Sequence, residues 1–137
     1  MHSLGPALIW LWFLSMGSSA FAQLLPAVTL EALSKQAYMV QGDLGPASTS
    51  NRGFNSNAGI VIADDAVVLI DALGTPALAE ELIQAIRLIT KRPITDVIVT
   101  HYHADHIYGL QVFKEAGARI VAHAAAREYL FSDTAKL

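Results

Sequence analysis

Asp96-Val97-Ile98-Val99-Thr100-His101-Tyr102-His103-Ala104-Asp105-His106 is the stretch that decides the reading of this chain. Its first half is a β-branched apolar run of the kind that forms a short buried strand. Its second half packs three histidines and one aspartate into six residues at the end of that strand. His101 and His103 are separated by one residue, so in extended backbone their side chains project to the same side and can grip one ion. Asp105 and His106 follow where the chain turns into a helix, and that change of direction aims them at a second position beside the first. Imidazole nitrogen and carboxylate oxygen suit zinc where thiolate is absent, and they leave coordination positions open for water. A bound divalent ion lowers the pKa of its water toward about 7 and supplies hydroxide at neutral pH. Asp105 is then expected both to ligate and to orient the nucleophile, a catalytic role, while Tyr102 and Ala104 face away from the ions.

Outward from this cluster, the pattern is that of an α/β protein. Tyr38-Met39-Val40 reads as a short strand, and residues 42–57, rich in Gly, Ser, Asn and Pro, read as a loop. Residues 59–63 and 66–70 are β-rich runs flanking Asp64-Asp65, a turn-forming pair, and predict a hairpin with a largely buried second strand. Thr75 before Pro76 is an N-cap followed by a proline at the first helical position. Leu78, Leu82, Ile86 and Ile89 then recur at helical spacing to about Thr90, and Lys91, Arg92 and Pro93 close the helix. The spacing predicts a strand over 96–100, a helix over 107–115 ended by Gly117, a strand over 119–122 and a helix over 124–131. Strand, hairpin, helix, strand, helix, strand, helix is an α/β order.

Composition narrows the function classes. The chain has 137 residues with nine Lys and Arg against twelve Asp and Glu, formal charge −3, and no cysteine. No basic field exists to hold phosphates, so a nucleic-acid partner is not expected. The missing cysteine removes a disulfide framework and a thiolate zinc site together. Leu8 to Leu14 is an uninterrupted apolar run followed by small residues and Ala20-Phe21-Ala22, the A-x-A form of a signal-peptidase site. Residues 1–22 are therefore expected to be a signal peptide, with Gln23 as the new N-terminus and the domain occupying 23–137. The run is too short to span a bilayer, which takes about 20 apolar residues, and no cysteine follows it to carry a lipid. A periplasmic or secreted protein without a membrane anchor after cleavage is the expectation.

The intact HxHxDH pattern at His101, His103, Asp105 and His106, with the hairpin and the strand ending in Ile70-Asp71, resembles the metallo-β-lactamase superfamily over residues 38–131. The resemblance implies the N-terminal half of an αβ/βα sandwich. It also implies two metal positions, the first held by His101 and His103 and the second by Asp105 and His106. The ions expected are two Zn2+ per complete domain, with iron or manganese as alternatives. Asp71 matches an acidic position that in this family supports the metal site without ligating. A carboxylate there could accept a hydrogen bond from a ligating imidazole and fix its tautomer, or it could simply be a strand-end turn residue. His123, another strand-end histidine, is expected to be a packed or exposed residue, with a metal role as the alternative, and Asn57 and Gly59 are expected to be turn residues, with positioning of backbone near the substrate as the alternative.

A complete member supplies further ligands and a second αβ half downstream, so the chain is expected to be incomplete at its C-terminus, with one sheet face lacking its partner. The leading expectation is a zinc-dependent hydrolase acting on an ester, thioester or lactam bond of a small-molecule substrate. A metal-binding or diiron redox member, distinguished by iron and a flavin partner, is the alternative. A non-catalytic truncated module with half a site is the third.

Overall fold

In a computed structural model that describes residues 28–133, six strands form one sheet in sequence order. They are β1 (Glu31–Ala32), β2 (Ala37–Val40), β3 (Ala58–Ile62), β4 (Val67–Ile70), β5 (Ile94–Ile98) and β6 (Arg119–Val121). The first four run antiparallel, and β5 and β6 join in parallel register. Parallel neighbours need a crossover, supplied by α1 (Pro76–Ile89) between β4 and β5 and by α2 (Ala104–Ile107) and α3 (Leu110–Glu115) between β5 and β6. A last helix, α4 (Ala126–Leu130), follows β6. The α/β class expected from the sequence is the observed one. The expected signal peptide, residues 1–22, lies outside the described residues.

Alternation along the strands decides which face the helices cover. Tyr38, Ile60, Leu69, Val97 and Ile120 are register partners across five strands. Ile60, Leu69 and Val97 are fully buried against Leu78, Leu82 and Ile86 of α1 and Phe113 of α3. Each such side chain contributes about 1.5–3 kcal/mol by leaving water, so this layer is the main adhesive of the fold. The opposite face, along Gly59, Val61, Val68, Ile70, Ile98 and Val121, is open among the described residues, with Val61, Ile98 and Val121 about 40% exposed.

The structure differs from the sequence reading at several element bounds. β5 covers 94–98 where 96–100 was expected, because the Thr100 N–H leaves the ladder to donate to Asp71 Oδ1 at 2.8 Å. The helix expected over 107–115 starts at Ala104 and is broken at Tyr108 and Gly109. There the Gly109 N–H donates to Leu73 O at 3.1 Å, while the carbonyl one turn back, Asp105 O, accepts from the Ser56 hydroxyl. α4 is also shorter than the expected 124–131. α1 matches closely, with Thr75 Oγ1 accepting from Leu78 N–H at 3.2 Å and Pro76 opening the helix. β1 was not anticipated; two residues carry no readable period.

Candidate metal centre

β4 and β5 are adjacent parallel strands, so their C-terminal ends lie at the same edge of the sheet, the place where open α/β sheets bind ligands. β4 delivers Asp71 there and β5 delivers residues 100–106. The histidines gather: the His101 ring centroid lies 4.6 Å from that of His103 and 4.2 Å from that of His106. Asp105 and His106 sit in the first turns of α2, and His106 Nε2 is 3.7 Å from Asp105 Oδ2. Two atoms bound to one tetrahedral zinc at 2.0–2.1 Å lie about 3.3 Å apart, so this pair is close to ligand spacing.

Asp71 is the pivot of the arrangement. It is 4% exposed and accepts the Thr100 N–H on Oδ1, with the Thr100 hydroxyl at 2.7 Å and His106 Nδ1 at 2.8 Å on Oδ2. His101 Nδ1 lies 2.9 Å from Thr100 Oγ1. The donor atoms of Asp71, His101 and His106 come within 4.8 Å of one another. By distance Asp71 could be a ligand, but both of its oxygens already accept hydrogen bonds and its carboxyl is sealed from the surface. His103 and Asp105 lie outside that close group; the His103 ring packs edge-on to Tyr102 at 5.3 Å.

The backbone that presents Asp71 is held against its preferences. Asp71 and Leu73 have φ of 66° and 64°, a left-handed conformation that costs about 1–2 kcal/mol per L-residue. Three main-chain bonds stitch it in place: Asp71 N–H to Ile98 O at 2.9 Å, Ala72 N–H to His106 O at 2.9 Å, and Gly109 N–H to Leu73 O. A Cβ at Gly109 would lie 2.0 Å from Ala72 O and 2.8 Å from Ala79 Cβ, so only glycine lets these segments meet.

Two further residues of the site were not singled out from the sequence. Asn55 Nδ2 donates to Asp105 Oδ2 at 3.4 Å, and Ser56 donates to Asp105 O. Both lie about fifty residues upstream in a loop whose composition signals only turns. Asn57, in that loop, accepts the Gly42 N–H at 3.0 Å and so clasps the loop instead of facing the histidines. His123 is exposed and accepts the Ala125 N–H at 3.2 Å, which fits the non-ligand reading. An open pocket of about 770 Å3 adjoins His101, lined among others by Tyr102, Ile107, Ile120, His123 and Tyr129. Tyr102 stacks on Tyr129 at its wall, ring centroids 4.8 Å apart.

The donor set fits a divalent metal of zinc type: imidazole nitrogen and carboxylate oxygen without sulfur, with supporting hydrogen bonds behind the rings, as metal-binding histidines require. Among the described residues no helix is long and apolar enough to cross a membrane.

Comparison with known proteins gives the family of the chain. The metallo-β-lactamase type 2 of Bacillus cereus is 34% identical over 99 residues, 72% of this chain and 37% of that protein. The type 2 enzyme of Bacillus sp. (strain 170) is 38% identical over 71 residues, 52% of this chain and 27% of that protein. The chain thus spans little more than a third of the length of these curated relatives at most. A crystal structure of the metallo-β-lactamase FIM-1 from Pseudomonas aeruginosa, in a mono-zinc form, superposes with a TM-score of 0.62 at 22% identity, covering 74% of this chain and 44% of that one. That likeness is one of fold. The sequence model of the metallo-β-lactamase superfamily matches residues 51–136, well over half of the chain, and the chain belongs to that superfamily.

Proposed function

We propose that this chain carries the histidine-rich half of the metal site of a zinc-dependent hydrolase, one that cleaves an ester, thioester or lactam bond of a small molecule outside the cytoplasm. The observation that carries the proposal is the convergence of three imidazoles and Asp105 at the ends of parallel strands, with His106 Nε2 3.7 Å from Asp105 Oδ2. His101 and His103 are the residues to hold one ion, and Asp105 and His106 a second. A bound divalent ion supplies Lewis acidity toward the scissile carbonyl and an acidified water. Asn55 restrains the Asp105 carboxylate, Ser56 anchors its main chain, and Asp71 fixes the His106 ring from behind. The apolar pocket beside His101 offers room for a small-molecule group, at a volume usual for such sites. The apolar leader reading over residues 1–22 supports export.

The test is metal content by elemental analysis, combined with hydrolysis of nitrocefin and of generic esters and thioesters, for the full open reading frame and its His103→Ala variant. About two zinc ions per domain and turnover lost in the variant are expected. Iron with a flavin partner and no turnover would replace this reading with a redox one.

A further inference from the structure

The proton count around Asp71 reaches further than its contact with His106. An ionised carboxylate only accepts, and a threonine hydroxyl carries a single proton. With Thr100 Oγ1 2.7 Å from Asp71 Oδ2, that proton is committed to the carboxylate. Thr100 Oγ1 therefore has only lone pairs to offer His101 Nδ1 at 2.9 Å, so His101 must donate from Nδ1. His106 Nδ1, 2.8 Å from the same Asp71 oxygen, must donate as well. With an ionised carboxylate at Asp71, any other assignment sets two lone pairs face to face at hydrogen-bond distance.

We propose that Thr100 is a positioning residue: its hydroxyl passes the acceptor capacity of Asp71 on to His101, so that one buried carboxylate holds both His101 and His106 as the Nδ1–H tautomer and leaves both Nε2 lone pairs free. The two histidines are the ones expected at different metal positions, so a single second-layer carboxylate prepares both. A neutral histidine free in water favours the opposite, Nε2–H, form, so the network selects against the solution preference. Backbone support makes the device rigid, because the Thr100 N–H is also tied to Asp71, on Oδ1. Threonine and serine can do this; valine, of the same shape, cannot. The consequence for metal affinity rests on the metal-site reading above, whereas the tautomers belong to the chain's own residues.

The experiment is long-range 1H–15N correlation NMR of the metal-free full chain, which reports each ring's tautomer directly. The five histidines are assigned with His101→Gln and His106→Gln. In the wild type both rings are expected as Nδ1–H. In Thr100→Val His101 is expected to shift toward Nε2–H while His106 keeps its form, and Thr100→Ser restores His101. Asp71→Asn should disturb both rings. Zinc titration of the same samples should show about a 10-fold loss of affinity for Thr100→Val, the low end for a removed supporting partner, and little for Thr100→Ser. His101 as Nε2–H in the wild type overturns the proposal whatever the variants do, as does a His101 tautomer unmoved in Thr100→Val. The expected tautomers without zinc binding would uphold the relay and remove the metal reading instead.

Discussion

Gly109→Ala tests the packing that brings the two halves of the site together. A Cβ there would sit 2.0 Å from Ala72 O, about 1.3 Å inside an ordinary C···O contact of about 3.3 Å, and 2.8 Å from Ala79 Cβ. Neither neighbour can step aside, since one is backbone between the left-handed residues Asp71 and Leu73 and the other lies on the buried side of α1. Overpacking of this kind costs about 1–3 kcal/mol, or more where relief is blocked. Opening the gap also breaks Gly109 N–H to Leu73 O and weakens Ala72 N–H to His106 O, about 1 kcal/mol each. The expected loss is about 3–5 kcal/mol, a large part of the 5–15 kcal/mol typical of a domain. Gly117→Ala is the control: its Cβ meets nothing within 4 Å, but its φ of +95° leaves backbone strain of about 1–2 kcal/mol. Urea denaturation of the three proteins followed by circular dichroism gives the comparison, with equal m-values required. A Gly109→Ala loss below about 1 kcal/mol, or no larger than that of Gly117→Ala, would refute the close approach of these segments.

Other outcomes follow from single contacts. Thr75→Ala should cost about 1 kcal/mol in denaturation midpoint analysis by removing the acceptor for Leu78 N–H, and Thr75→Ser should recover most of it. Leu69→Ala, at a fully buried position in the central layer, should cost about 2–5 kcal/mol by the same measurement. The Arg119 guanidinium, and after it a Thr95 hydrogen bond, hold the Asp96 carboxyl below its ordinary range. A carboxyl depressed in the folded state contributes stability above its unfolded pKa, and that contribution is lost as pH falls through the lower folded value. Arg119→Gln should therefore have a lower Tm than the wild type above about pH 4, with the two thermal-melt curves converging at more acid pH.

The six residues from His101 to His106 were readable without a structure because their chemistry is local. A period-two pair after an apolar strand, then an Asp-His pair entering a helix, specify the donor types by themselves. α1 was equally plain, since Thr75, Pro76 and the apolar spacing from Leu78 each act within a few residues. The break between α2 and α3 was not legible. It exists because Ser56 takes Asp105 O and Leu73 takes the Gly109 N–H, and these partners lie far away in the chain. The same holds for the end of β5, where a side chain twenty-nine residues earlier captures the Thr100 N–H. Asp71 could be read as a turn residue or as a support, and its hydrogen bonds to Thr100 and His106 have no local signal, because they arise only where the sheet sets β4 beside β5 in parallel. Local propensity and donor chemistry thus indicated where five of the six strands fall and which residues offer metal-ligand atoms. Only the tertiary fold decided which carboxylate is buried beside His106 and Thr100, because hydrogen bonds between distant segments have no local pattern to announce them.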